Sequence, residues 1–470
     1  MKRTLLTCFL SLSIVITAYS QTTFGTEQTI NASTGANPYS IDSGDLNGNT
    51  FIDIVIGTDV GNTVEWYKND GSGNFTKQTN LSSALVNVEG IHIANLDGIN
   101  GNDIIATGFG NDKIVWFANN GSGGFGSETL IGTLDGVGQV LTADINNDGN
   151  LDIIAVGYNA NKVVWYAGDG AGNFGSEQTI ESGTSQPGAV SIADFDGDTD
   201  LDIVIGYTGA GTIEVYYNQF IESGTSTVSW VKDTNQVDSG NNFLFVVAFA
   251  DIDDNGSLDI IKSDFVGTAT PTGNEIAWFK KEGDGTYTKT IIPTSINKPA
   301  VVMVRDLNND GYTDIIVSNG TTGDPDDIIW FESTGAGTYF SEATISLFSD
   351  QKQTYGFTVA DFDGDGDLDI ASVNYGDPEL SWFENKLITL SLNDNSLNKI
   401  SIYPNPTTDK LFFKGSFNDN FKVSVFDILG KKIIEKSLNI NEALDVSQLH
   451  TGIYIIRFDD YNTTFKFVKE

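Results

Sequence analysis

An acidic nonapeptide of the form Asp-x-Asp/Asn-x-Asp/Asn-Gly-x-x-Asp, followed by an apolar run, recurs seven times. The copies begin at Asp45, Asn95, Asp144, Asp194, Asp251, Asp306 and Asp361, at intervals of 50, 49, 50, 57, 55 and 55 residues. A period of that size marks one supersecondary unit used repeatedly, each copy burying its apolar face against the next. The chain is 470 residues long, more than one ordinary core accommodates, so an array is also the natural way to use its length.

Within a unit the pattern is that of short strands. Ala189-Val-Ser-Ile-Ala193 leads into the acidic loop, Leu201-Asp-Ile-Val-Ile-Gly206 leaves it, and Thr212-Ile-Glu-Val-Tyr-Tyr217 follows. A fourth strand comes after a turn. β-branched and aromatic residues bounded by Gly and Asn favour strands, and helical periodicity is absent through most of the chain. The third strand usually ends in Trp plus an aromatic, as at Trp66-Tyr67, Trp116-Phe117, Trp165-Tyr166, Trp278-Phe279, Trp330-Phe331 and Trp382-Phe383. Bulk at a fixed position of every repeat predicts packing between adjacent sheets rather than a sugar-stacking platform. Glycine-rich turns follow, such as Asn69-Asp-Gly-Ser-Gly-Asn-Phe75. No helix follows them to bind a phosphate.

Seven units of four antiparallel strands predict an all-β chain: a seven-bladed β-propeller over residues 21–386. The seventh unit has no fourth strand of the usual type after Trp382. Phe24-Gly-Thr-Glu-Gln-Thr-Ile30 nearly duplicates Phe174-Gly-Ser-Glu-Gln-Thr-Ile180, so residues 24–30 are expected to complete the last blade. Such closure removes free sheet edges.

The loop spacing fits a hard cation. Side-chain oxygens at positions 1, 3 and 5 wrap one face of an ion, position 7 offers its carbonyl, and the Asp at position 9 closes the shell. Glycine at position 6 permits the bend. Oxygen-only ligands favour Ca2+ over zinc, and magnesium prefers to retain waters. Strand-like flanks and the lack of a Glu at position 12 disfavour an EF-hand. Complete sets are Asp144/Asn146/Asp148/Asp152, Asp194/Asp196/Asp198/Asp202, Asp251/Asp253/Asn255/Asp259, Asp306/Asn308/Asp310/Asp314 and Asp361/Asp363/Asp365/Asp369, the second with Thr199 at position 6. Asp45/Asn47/Asn49/Asp53 is weaker, with two carboxylates and Thr50. Asn95/Asp97/Ile99/Asp103 lacks an oxygen at position 5 and is expected to be empty or distorted. About five to six structural calcium sites follow.

Met1-Lys2-Arg3, a mostly apolar stretch over residues 5–18 and Ala18-Tyr19-Ser20 predict a secretory signal peptide over residues 1–20. The stretch is shorter than the ~20 residues a membrane span needs, and no transmembrane segment is expected. Cys8 is the only cysteine, which leaves the mature chain without disulfide or thiol chemistry. Net charge is −38, and residues 21–398 hold 13 basic against 54 acidic groups. That surface repels nucleic acid and anionic membranes.

Past Asn385 the nonapeptides stop and lysine rises. Residues 387–398 are expected to be a linker. Ile400-Ser-Ile-Tyr-Pro-Asn-Pro-Thr-Thr408, Val423-Ser-Val-Phe-Asp-Ile-Leu-Gly-Lys431 and Gly452-Ile-Tyr-Ile-Ile-Arg457 alternate between turns, predicting a small Ig-like β-sandwich over residues 399–470.

The nonapeptides over residues 24–386 resemble the FG-GAP (VCBS) repeats of integrin α-chain propellers. The resemblance implies structural metal in loops joining first and second strands, and partners on the opposite face. The longer connections at 267–275 and 320–327 would then face a ligand; the fourth unit also carries an extended segment at 218–236. The Tyr-Pro-Asn-Pro start and Gly-Ile-Tyr segment resemble the C-terminal sorting domain of the Bacteroidetes type IX secretion system. That resemblance implies the type IX machinery as a partner, removal of the domain, and a secreted or cell-surface product.

Catalysis has little to work with. His92 and His450 are the only histidines, and Ser-His-Asp chemistry would need His92, which sits in the strand-like Gly90-Ile-His-Ile-Ala94. The leading expectation is a calcium-bearing binding or adhesion module for a glycan or protein. The alternative is a polysaccharide-active enzyme, a lyase or glycoside hydrolase on a propeller scaffold. A structural envelope protein is the third reading.

Overall fold

The computed structural model describes residues 24–386 and 401–469, apart from 82–83, 184–185, 221–226, 240–242, 266–273, 297, 322–325, 336, 340–342, 348–352, 415–419, 428–430, 440–441 and 459–462. The expected signal peptide at 1–20 and linker at 387–398 lie outside the described residues, as do parts of the connections at 267–275, 320–327 and 218–236. The chain is all-β and divides into two compact units, Gln21–Leu387 and a second that holds Ile388–Glu470.

Among the described residues the first unit contains seven antiparallel sheets. Six have four strands; in the other, Asp238–Ser239 adds a short fifth by pairing with Thr212–Asn218. The innermost strands are Pro38–Gly44, Val88–Ala94, Val137–Ala143, Pro187–Ala193, Phe243–Ala250, Pro299–Arg305 and Gln353–Ala360. Each touches the next, and the last touches the first. Each is followed by an acidic loop and then by a strand buried on both faces, such as Asp53–Thr58, Asp103–Gly108 and Asp152–Gly157. Those second strands lie between neighbouring sheets, which is why they read as unbroken apolar runs.

Cores are therefore shared between sheets. Leu46, Val55, Val64 and Trp66 pack against Ile104, Ala106, Val115 and Phe117 of the next sheet. Each such aliphatic side chain contributes roughly 2 kcal/mol by leaving water. The tryptophans that end the third strands are buried in these seams. The glycine-rich turn of the following sheet lies over the indole. At Gly123 (φ 76°) an added Cβ would stand 2.7 Å from the Trp66 ring, so both the backbone geometry and the contact require glycine.

Gln28–Asn31 pairs antiparallel with Glu379–Phe383, placing Gln28 opposite Trp382 and Thr29 opposite Ser381. Phe24 bridges to Asn385, and the Gly25 N–H donates to the Glu384 carbonyl at 2.7 Å. Residues 350 positions apart in sequence, Thr29 and Glu379, thus belong to one sheet.

The second unit has a three-stranded sheet, Ser401–Tyr403, Lys410–Lys414 and Leu444–Asp445, and a four-stranded sheet, in order Lys432–Asn439, Asn420–Asp427, Gly452–Phe458 and Thr463–Lys469. Alternating residues meet in one core of Leu411, Phe413, Phe421, Val423, Val425, Ile456, Phe458 and Phe467.

Candidate metal centres

Six of the seven acidic loops are organised from a first aspartate. The Asp194 Oδ2 accepts the Thr199 N–H at 3.1 Å and Oδ1 accepts the Gly197 N–H at 2.8 Å. The same wrap recurs at Asp144 with Gly149 (2.8 Å), Asp251 with Gly256 (2.8 Å), Asp306 with Gly311 (2.9 Å), Asp361 with Gly366 (3.1 Å) and Asp45 with Thr50 (2.8 Å). The sixth position has positive φ in all six of these loops. Glycine meets this easily, whereas Thr50 (φ 72°) and Thr199 (φ 82°) hold it against the steric preference of a β-branched residue.

Three loops bring carboxylates to a common point. One oxygen each from Asp194, Asp196 and Asp202 lies within 4.8 Å of the others, and the same holds for Asp251, Asp253 and Asp259, and for Asp361, Asp363 and Asp365. Among the described residues the loops opening at Asp45, Asp144 and Asp306 do not converge three carboxylates in this way. Each has asparagine at its third position (Asn47, Asn146, Asn308), so one carboxylate gives way to an amide. In the first loop Asn47 Nδ2 donates to Asp53 Oδ2 at 2.6 Å and Asn49 Nδ2 donates to the Asn69 carbonyl at 3.2 Å. Asn49 Oδ1 meanwhile accepts the Phe51 N–H at 3.0 Å.

Two further loops have their expected fifth-position ligands at Asp148 and Asp310. Neither joins a convergent group of three carboxylates among the described residues. Both also brace the turn, as Asp198 and Asp365 do in two of the convergent loops, where they accept the N–H of Asp200 at 2.8 Å and of Asp367 at 3.1 Å. The Asp148 N–H donates to Asp144 Oδ1 and to Asn146 Oδ1, each at 3.0 Å, and Asp148 Oδ1 accepts the Asn150 N–H at 2.9 Å. The Asp310 N–H donates to Asp306 Oδ1 and to Asn308 Oδ1, each at 3.1 Å, and Asp310 Oδ1 accepts the Tyr312 N–H at 2.9 Å. Asn308 Nδ2 also donates to Asp310 Oδ2 at 3.3 Å and to Glu332 Oε1 at 3.1 Å. Position 3 of both loops is a neutral amide. Its oxygen carries no full charge, and in the loop opening at Asp306 its NH2 donates to carboxylates, which a third aspartate could not do.

The three convergent groups fit a hard divalent cation. Their donors are oxygens, and like charges this close are mutually repulsive until a cation neutralises them. Asp198, the fifth-position residue of one group's loop, buries its Oδ2 without a hydrogen bond among the described residues, an acceptor left for something else. The group at Asp251 differs, because Asp253 is already engaged by Lys280 Nζ and by Asn255 Nδ2.

The aspartate at position 9 does more than the spacing suggests. Asp53, Asp103, Asp152, Asp202, Asp314 and Asp369 are completely buried, and Asp259 nearly so. One oxygen takes the N–H of position 2: Asp202 from Phe195 at 3.0 Å, Asp369 from Phe362 at 2.9 Å. The other takes an N–H at the end of the third strand: Asp202 from Asn218 at 3.0 Å, Asp369 from Asn385 at 2.7 Å, Asp314 from Ser333 at 2.7 Å. Burial pushes these carboxyls up against that hydrogen bonding, Asp152 to about 6, Asp202, Asp259 and Asp314 to about 7, and Asp369 to about 8. Asp363 is raised to about 6, first by burial and then by Asp365.

Sequence reasoning missed a second set of residues. Asn69, Asn119, Asn218 and Asn385 each donate Nδ2 to a position-2 carbonyl of a neighbouring sheet, Phe362 (2.7 Å), Leu46 (2.8 Å), Ile145 (2.9 Å) and Leu307 (3.0 Å). Their signal was an asparagine three residues beyond the Trp or Val near the end of the third strand. His92 also has defined partners, Asp42 Oδ2 at 3.3 Å and Thr142 Oγ1 at 3.0 Å, on the innermost strands of the two adjacent sheets.

The chain carries FG-GAP-like repeats, matched over residues 95–155, 144–205, 262–317 and 306–372. It ends in a secretion system C-terminal sorting domain over residues 401–470. That tail directs export by type IX secretion, to the cell surface or outside. No helix among the described residues is long and apolar enough to cross a membrane. No curated protein matches the chain. Among solved structures it is similar to an Agrocybe aegerita lectin described as recognising non-reducing terminal N-acetylglucosamine. Identity is 18%, the match covers 95% of this chain and 98% of that one, and the TM-score of 0.42 is too low to carry a ligand across.

Proposed function

We propose that residues 21–386 form a seven-bladed β-propeller stiffened by calcium, a binding or adhesion module for a glycan or protein. In this reading residues 1–20 are a signal peptide, and the tail is an Ig-like sandwich that hands the chain to the type IX machinery of a Bacteroidetes cell. The observation that carries the metal part is the convergence of three carboxylates at three of the repeated loops. Asp194, Asp196 and Asp202 would hold one ion, Asp251, Asp253 and Asp259 a second, and Asp361, Asp363 and Asp365 a third. Bound calcium supplies positive charge that neutralises each cluster and ties its loop down.

A binding role is supported by how the groups that could serve catalysis are engaged. The aspartates at position 9 are occupied with backbone amides, and His92 is held between two strands. The deciding experiment is a glycan array in calcium, run beside reducing-sugar and unsaturated-product assays on polysaccharides. Binding without turnover is expected; product formation would replace this reading with a polysaccharide-active enzyme.

A further inference from the structure

A cavity of about 490 Å³ lies at the beginnings of the innermost strands, the end of the ring opposite the acidic loops. Six residues before each nonapeptide the chain places one side chain at this level. Tyr39, Glu89, Phe245 and Tyr355 are large there, whereas Gly138 and Gly188 are small, and the space opens on their side.

Aromatic rings build the wall. Tyr355 stacks between Tyr39 (centroids 5.6 Å, 27°) and Phe245 (5.6 Å, 22°). Phe109 and Tyr158, from the connections after two second strands, complete the rim. Among the described residues no lysine, arginine or histidine lines the cavity.

Three of the polar side chains lining it are occupied, whereas the Ser40 hydroxyl is buried without a partner among the described residues. Gln139 exchanges two hydrogen bonds with the Val190 backbone, at 2.8 and 3.2 Å. Thr208 donates to the Leu244 carbonyl (3.1 Å) and Tyr355 to the Gly320 carbonyl (3.1 Å). Glu89 has neither hydrogen bond nor ion pair among the described residues, and the charge that acts on it is another carboxylate, Asp59. Asp59 accepts from Asn87 Nδ2 at 2.5 Å and from the Tyr375 hydroxyl at 3.1 Å, so no cation neutralises it there either.

A carboxylate without a countercharge, lining a largely apolar cavity together with aromatic rings, is complementary to one positive charge on an apolar body. We propose that the cavity binds a small organic cation, a substituted ammonium whose head sits between Glu89 and the rings of Tyr39, Phe109 and Tyr158. This site is independent of the acidic loops and of any glycan or protein bound elsewhere.

The test is calorimetric titration of the full chain, in calcium, with choline and with 3,3-dimethylbutan-1-ol, its uncharged isostere. Choline is expected to bind at least about tenfold tighter than the alcohol, and Glu89→Gln to remove about tenfold of choline affinity. Tyr158→Leu, which keeps Glu89, should weaken choline severalfold with an unchanged melting temperature. Equal affinity for the two probes, an unaffected Glu89→Gln variant, or no choline heat would overturn the proposal. An arginine-bearing peptide that binds where choline does not would also overturn it, by moving the cation onto a partner chain.

Discussion

Asp103 Oδ1 accepts the Asn119 N–H at 2.8 Å while its Oδ2 accepts the Leu96 N–H at 2.8 Å. This occurs in the repeat whose ligand set is broken by Ile99. The aspartate is therefore held by a duty that needs no ion, the joining of loop, second strand and third strand.

Replacing Asp103 with alanine strands two buried N–H groups. A loss of about 3 kcal/mol is expected, the same in calcium and in chelator. Denaturant melts of Asp103→Ala under both conditions check this; a loss seen only in calcium would show that the residue acts through metal.

Chelation should lower the melting temperature of the intact chain, since each ion bound only by the folded state contributes about 2.7 kcal/mol at a hundredfold excess over its Kd. Asp361→Ala should remove part of that calcium-dependent shift and leave the melt in chelator nearly unchanged. Scanning calorimetry with and without calcium measures both quantities, and an unaltered melt under chelation would count against structural metal.

Lys280 competes for Asp253 in the fifth loop. In a chain carrying Asp194→Ala and Asp361→Ala, Lys280→Met is expected to tighten the remaining calcium binding about fivefold, the lysine being partly exposed and its attraction screened. Weaker binding would mean that Lys280 orients Asp253 rather than opposing the ion.

Glu89 provides a pH signature. Burial, then Asp59, raises its carboxyl from the usual range to about 7. A carboxyl raised on folding costs stability when ionised in both states, above about 7. That cost fades as pH falls through 7 toward the unfolded value. Glu89→Gln should thus stabilise the chain by about 2 kcal/mol at pH 8 and by almost nothing at pH 5. Melts of both proteins across that range decide it; a pH-independent difference would indicate lost packing.

The repeat period and strand chemistry made the sheets legible, because fully buried second strands leave unbroken runs such as Asp-Ile-Val-Ile at Asp202–Ile205. The buried Trp seam was legible for the same reason. The double role of position 9 was not, since one residue type serves equally as cation ligand and as amide acceptor. Nor did the spacing separate the three loops that converge carboxylates from those where Asn146 or Asn308 takes the third position. The cavity was hidden differently: its walls come from all seven sheets, and only in register do Tyr39, Glu89, Phe245 and Tyr355 fall at one level.

The pairing of Gln28–Asn31 with Glu379–Phe383 has a consequence for biosynthesis. The earliest strand must wait for nearly the whole array to be translated before its partner exists, so a nascent chain stays an open arc with two exposed rims. Thr29 and Glu379, joined at 2.7 Å in the finished molecule, act as the clasp. A product truncated ahead of that point would keep its arc unfastened and offer both rims to other chains.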